Sequence, residues 1–158
     1  MFVFFRAITF ATLFIAFFLI YVPGNLLSWT GLVRPAEIGW EQVSGLVVGT
    51  FGAVIALWCI LTFALVGKGT PAPFDPPRKL VIRGPYRFVR NPMYTGATIA
   101  LTGASIYYQS ASLLAYAGVF LLICHIFVVM YEEPTLRQTF ERDYEEYCGR
   151  VKRWWPKL

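Results

Sequence analysis

The stretch Gly84-Pro85-Tyr86-Arg87-Phe88-Val89-Arg90-Asn91-Pro92-Met93-Tyr94-Thr95-Gly96 joins a basic, proline-rich loop to a hydrophobic run. Asn91 is suited to cap a helix, because its side-chain oxygen can accept a free backbone N–H of the first turn. Pro92 suits the first helical position, where a missing N–H costs nothing. The pattern predicts a membrane helix that starts here, its positive dipole end facing arginines. Such a helix start is a ready site for an anionic group at a membrane surface.

Working outward, hydrophobic residues make up 57% of the 158 and charged residues 15%, the balance of an integral membrane protein and a single domain over 1–158. The apolar runs are Phe2–Val22, Val43–Val66, a shorter one over 92–108, and Ala111–Tyr131. A span needs about 20 residues, so the expected fold is all-α, with four transmembrane helices, the third tilted or extended by its neighbours. The first run lacks a basic n-region and a small-x-small cleavage site, and it reads as a retained helix.

Charge sets the expected orientation. Lys68, Arg78, Lys79, Arg83, Arg87 and Arg90 crowd the loop before the third run, and Arg137, Arg142, Arg150, Lys152, Arg153 and Lys157 follow the fourth. The turn at Gln109-Ser110 carries no charge, and Arg34 is offset by Glu37 and Glu41. The positive-inside rule then places both termini and the central loop in the cytoplasm. The net charge of +5 reads as a topology signal and an attraction to anionic lipid. Its juxtamembrane placement speaks against a nucleic-acid partner.

No metal-ligand spacing is present. The single histidine is His125, and Cys59, Cys124 and Cys148 form no C-x-x-C pair. The loop from Gly67 to Pro77 is expected to be extended and irregular. Beyond Tyr131, Pro134 should kink or restart the helix. An amphipathic helix over about 135–148 should follow, with Leu136, Phe140, Tyr144 and Tyr147 on one face and Arg142 paired to Glu146. It should lie on the cytoplasmic surface, against the bilayer or over the loop. Arg150, Lys152, Arg153, Trp154 and Trp155 read as interfacial anchors.

Glu132 and Glu133 are the sharpest candidates for chemistry, since carboxylates at the end of a span are costly unless solvated, paired or functional. Neighbouring residues on a helix point about 100° apart, so the two need not share a role. His125 lies nearly two turns earlier, roughly 10 Å away on the same face; a helix–helix hydrogen bond would also explain it. With Tyr86, Tyr94 and Arg90, the pair outlines a site offering carboxylates to an ammonium group. The same site offers arginines and a helix start to an anion, and aromatic faces to a cation. S-adenosylmethionine carries all three groups.

These residues resemble a family. Leu80-Val81-x-x-Gly84-Pro85-Tyr86, Arg90-Asn91-Pro92-Met93-Tyr94-x-Gly96, Glu132-Glu133, Tyr144-x-x-Tyr147 and the basic-aromatic tail are similar to the isoprenylcysteine carboxyl methyltransferase and phospholipid methyltransferase superfamily. The pairing of Asn91-Pro92-Met93-Tyr94 with Tyr131-Glu132-Glu133-Pro134 looks like the phosphatidylethanolamine N-methyltransferase branch. The resemblance implies a membrane enzyme that uses S-adenosylmethionine on a lipid or lipid-like acceptor. It implies a cofactor site over Gly84, Tyr86, Arg90, Asn91, Pro92, Tyr94, Gly96, Glu132 and Glu133, with Tyr94 and Glu132 as catalytic candidates and no metal. Asn91 stands where isoprenylcysteine enzymes carry histidine, and asparagine cannot titrate. With no cation in Ile126–Tyr131, an amine acceptor is favoured over a carboxylate. The rival readings are an NADPH-dependent sterol-reductase-like enzyme, and a lipid-binding scaffold without activity.

Overall fold

The computed structural model of the protein describes residues 9, 11–31, 35, 37–67 and 79–156. The start of the first apolar run and most of the proline-rich loop, with Lys68 and Arg78, lie outside them. The described residues form helices and turns, with no strand among them.

Helix α1 runs Ala11–Trp29 and α2 runs Trp40–Thr62, continued by a π-helical turn to Gly67. Helix α3 is Pro92–Tyr107, α4 is Ala111–Phe127 and α5 is Glu133–Arg150. Among the described residues, α1, α2 and the rod Ala111–Arg150 are long and apolar enough to cross a membrane. Up to its break at Glu141 the rod covers about 45 Å at 1.5 Å per residue, longer than a hydrocarbon core of about 30 Å. Only its part up to Tyr131 is apolar, so Glu132 onward lies beyond the apolar span. The 16 residues of α3 cover about 24 Å.

Glycine decides how α2 and α3 meet. Gly45, Gly49, Gly52 and Ala56 face Tyr107, Gly103, Ala100 and Gly96 in antiparallel order. A Cβ on Gly45 would lie 2.5 Å from Tyr107 N, and one on Gly96 2.8 Å from Ala56 N. The two backbones are therefore in direct contact, the arrangement small residues permit where lipid offers no hydrophobic drive. Gln42 fastens one end by donating to Tyr107 O at 3.1 Å. The turn at Gln109 returns the chain into α4, whose N-cap Ser110 accepts from Leu113 N at 3.3 Å.

The main core lies between α3 and α4: Tyr94, Ala97 and Leu101 meet Ala117, Phe120, Cys124 and Val128. Helix α1 closes it with the Phe14 and Phe18 rings on Phe120, and Tyr116 donates to Phe18 O at 2.9 Å. Phe51, Val54 and Leu61 on α2, and Leu122, Ile123 and Met130 on the rod, face outward, as lipid-facing residues should.

One helix boundary differs from expectation: the first helix does not stop at Val22 but continues through Pro23 to Trp29. Pro134 stands at the expected restart, in the first turn of α5 after a π-helical turn. Each proline follows a π-helical turn, Ile15–Tyr21 and Val128–Glu132. A proline ring clashes with the carbonyl four residues back, here that of Leu19 or Met130. The wide turn displaces that carbonyl and absorbs the missing bond. The departure from helical geometry inside α5 falls at Glu141 instead, at φ 41° and ψ −114°.

The apolar face of α5 is the expected one. Tyr144 and Tyr147 are buried with Val151, and Leu136, Phe140 and Leu80 pack around them. The helix therefore lies over the loop that leads into α3. Arg142 and Glu146 pair at 3.3 Å, fully on the surface.

Candidate active site

The loop reaches α3 through a 3₁₀ turn, Gly84–Arg87. Gly84 sits at φ +59°, where a side chain would be strained and would meet Thr62 Oγ1 at 3.0 Å. Tyr86 is buried against Cys59 and Val81, and its carbonyl accepts from the Tyr147 hydroxyl at 2.7 Å.

Asn91 does not cap α3 with its side chain. Its backbone carbonyl accepts from Thr95 N at 3.3 Å and Thr95 Oγ1 at 3.1 Å. Its amide group turns instead to Arg153 O at 3.4 Å. The competitor is the C-terminal tail, which lies beside this segment: Arg90 N donates to Lys152 O at 2.9 Å and Asn91 N to Arg153 O at 3.3 Å. With that carbonyl alongside, donating outward satisfies more groups than capping inward.

The two glutamates have separate surroundings. Glu132 Oε2 accepts from the Tyr94 hydroxyl at 3.3 Å, and Oε1 makes no hydrogen bond among the described residues. Glu133 is buried and its oxygens are taken. Arg153 grips it as a fork, Nε to Oε1 at 2.7 Å and Nη2 to Oε2 at 2.9 Å, and Arg90 Nη2 stands 3.2 Å from Oε1. Burial alone would raise the Glu133 carboxyl. The Arg153 hydrogen bonds and the charges of Arg90, Arg153 and Arg137 outweigh it and hold the group below its ordinary value. The same hydrogen bond pushes Arg153 up. Arg90 also touches Cys148 Sγ through Nη1, and its Nε is buried with no partner among the described residues.

The fold thus brings Arg90, Asn91, Tyr94, Glu132 and Glu133 together, with Pro92 buried at the start of α3. Two predicted residues lie elsewhere. Gly84 faces Trp58 and Thr62, and Gly96 is filled by the α2 backbone, which makes it a packing residue. Three participants were read only as interfacial or unassigned. Arg153 clamps Glu133, Lys152 pairs with Arg90 through its carbonyl, and Trp154 donates to His125 Nδ1 at 3.0 Å. That bond joins His125 to the tail rather than to another helix. Trp155 stays exposed. Among the described residues no group of side chains suits a metal ion.

An apolar cavity of about 190 Å³ lies between α1, α2 and α3. Phe14, Leu19, Leu57, Ile60 and Met93 line it. Met93 immediately precedes Tyr94 on α3.

The sequence pattern of the family described as phospholipid methyltransferase matches residues 40–143, from the start of α2 into α5. The chain belongs to the phospholipid methyltransferase family. Its match takes in α2, the loop, α3, Tyr94 and both glutamates, and leaves Arg153 and Trp154 beyond its end. Over 80 residues, 49% of the chain, this family member is also 34% identical to a protein of Oryza sativa subsp. indica. That protein is described as a probable protein-S-isoprenylcysteine O-methyltransferase, and 41% of it is covered. The counterpart from Oryza sativa subsp. japonica gives the same figures. The match therefore spans less than half the length of these relatives. Membership in a family of membrane methyltransferases agrees with the apolar helices.

Proposed function

We propose that the protein is a membrane-embedded, S-adenosylmethionine-dependent methyltransferase acting on a lipid or lipid-like acceptor, an amine in preference to a prenylcysteine carboxylate. The supporting observation is a complementary pair of unused groups. Among the described residues, Glu132 Oε1 makes no hydrogen bond and the buried Arg90 Nε has no partner. A buried donor without a partner costs about 1–3 kcal/mol, and a ligand carboxylate would relieve that cost. An amino-acid end, with its ammonium on Glu132 and its carboxylate on Arg90, fits both.

The cofactor supplies a methyl group on a sulfonium, open to in-line displacement, so positioning is the main demand on the protein. Tyr94 holds Glu132 in place through its hydroxyl proton. The same oxygen is left to accept from an acceptor N–H, with Glu132 Oε2 behind it as the proton's destination. The cavity that Met93 lines offers an apolar chain a place. The amine preference rests on the cations being committed: Arg153 and Arg90 Nη2 are engaged by Glu133, and Arg90 Nε is taken by the cofactor carboxylate.

In the proposed topology α3 also spans, as the third of four, its short length completed by the turns at either end. Both termini and the central loop face the cytoplasm, as the charges require. The cofactor then enters from the cytosol and the acceptor from the bilayer.

The test is a titration of purified protein with S-adenosylhomocysteine and, separately, NADPH. Labelled methyl transfer to phosphatidylethanolamine and to a farnesylcysteine analogue follows. Saturable binding of the first ligand alone is expected, with label on the amine lipid. Binding of NADPH alone would replace this reading with the reductase one, and binding of neither with the scaffold one. Label on the farnesylcysteine analogue alone would reverse the acceptor preference.

A further inference from the structure

The tail Lys152–Trp154 enters the site from outside the polar pair. Lys152 O and Arg153 O take the backbone N–H groups of Arg90 and Asn91. The Arg153 side chain forks onto Glu133, and Trp154 ties down to His125. The tail is therefore fixed to the loop, to α5 and to α4 within three residues. Two of these contacts bear on Arg90. Its backbone is held by Lys152, and its guanidinium is held by Glu133, whose orientation Arg153 sets.

We propose that Arg153 is a positioning residue for the amino-acid end of the methyl donor. By occupying both Glu133 oxygens, it keeps that carboxylate from drawing Arg90 fully into a fork of its own. Arg90 then meets Glu133 through Nη2 alone, and Nε stays unused. Without Arg153, Glu133 has one guanidinium left to pair with, and a buried carboxylate takes the bidentate geometry when it is offered. Arg90 Nε is then consumed, and the ligand carboxylate loses its donor. Arg153 also cancels the second glutamate's charge, so that Glu132 alone presents a free carboxylate to the ligand ammonium. The inference rests on the reading of the site given above.

The experiment compares two ligands on the full chain in detergent, S-adenosylhomocysteine and 5′-methylthioadenosine. The second lacks the amino and carboxylate groups. Arg153→Gln should weaken S-adenosylhomocysteine by about tenfold or more, the effect of one lost charge-assisted hydrogen bond. Binding of 5′-methylthioadenosine should stay within about twofold, since it makes no such bond. Arg153→Lys, which keeps the charge but not the fork, should fall between. It also carries the test if the glutamine variant does not fold. Equal losses for both ligands, or none for either, would overturn the proposal and leave Arg153 a stabilising clamp. A parent protein that binds neither ligand would instead overturn the methyltransferase reading beneath it.

Discussion

Tyr147 donates its hydroxyl to the backbone carbonyl of Tyr86, 61 residues earlier, at 2.7 Å. This buried bond fixes the amphipathic helix to the loop that feeds α3. Tyr147→Phe keeps the ring and removes the bond. It should cost about 1 kcal/mol or more, because the Tyr86 carbonyl is left without its partner. A melting curve in detergent measures it, and an unchanged midpoint would mean that water replaces the hydroxyl.

Gly103→Ala should be among the most damaging small substitutions. Its Cβ would overlap the backbone of Gly49, and two helices cannot separate locally without losing the whole contact. Overpacking of this kind costs about 1–3 kcal/mol or more. Gly118→Ala in α4 is the control, since nothing lies within 4 Å of its Cβ. It should be neutral or slightly stabilising, by up to about 1 kcal/mol. Equal melting points for the two variants would contradict the close approach of α2 and α3.

Glu132→Gln preserves shape and removes one charge. S-adenosylhomocysteine affinity should drop by about one to two decades. The fold should hold, because Glu132 makes one long hydrogen bond and no ion pair among the described residues. Undiminished binding by the folded variant would remove Glu132 from the cofactor site.

Glu133 governs acid sensitivity. Its folded-state pKa is depressed below the ordinary 4.5. It therefore contributes stability above that value and loses it as pH falls through the lower, folded value. The melting point of the parent should drop between neutral pH and values below 4.5. Glu133→Gln should start lower, with Arg153 unpaired, and be flatter across that window. Parallel curves would assign the acid transition to other groups.

Topology is checked with reporter fusions. A fusion after Gln109 should read non-cytoplasmic and one after Pro156 cytoplasmic, from the asymmetry of basic residues. The same side for both would leave α3 as a helix that does not span.

Much of the scaffold is written locally. Apolar runs gave the last three helices to within a few residues, while the first runs on from Val22 to Trp29; the spacing of Leu136, Phe140, Tyr144 and Tyr147 gave the buried face of α5, because periodicity is a property of neighbours. The run of the first helix past Pro23 was not foreseen, since a π turn upstream absorbs a break that the proline alone implies. Asn91 has good capping chemistry, yet the carbonyl that redirects its side chain is 62 residues away. Arg153 and Trp154 are likewise ordinary interfacial residues by composition, and only their long-range partners distinguish them. The glycine pattern on α2 and α3 was in view in the sequence, as small residues one helical turn apart on two apolar segments, and would have given their pairing.

The turn Val128–Glu132 has a further consequence. A π turn seats one extra residue per circuit, and each residue advances a helix by about 100°. The two halves of the long rod are thus out of phase. The apolar half is clocked to α3, and the polar half to the loop and tail. Rewinding that turn as ordinary α-helix with all its residues kept would sweep every α5 side chain by about 100° at once. Glu133 would leave Arg153, and Tyr147 would leave Tyr86, with no residue of the site replaced.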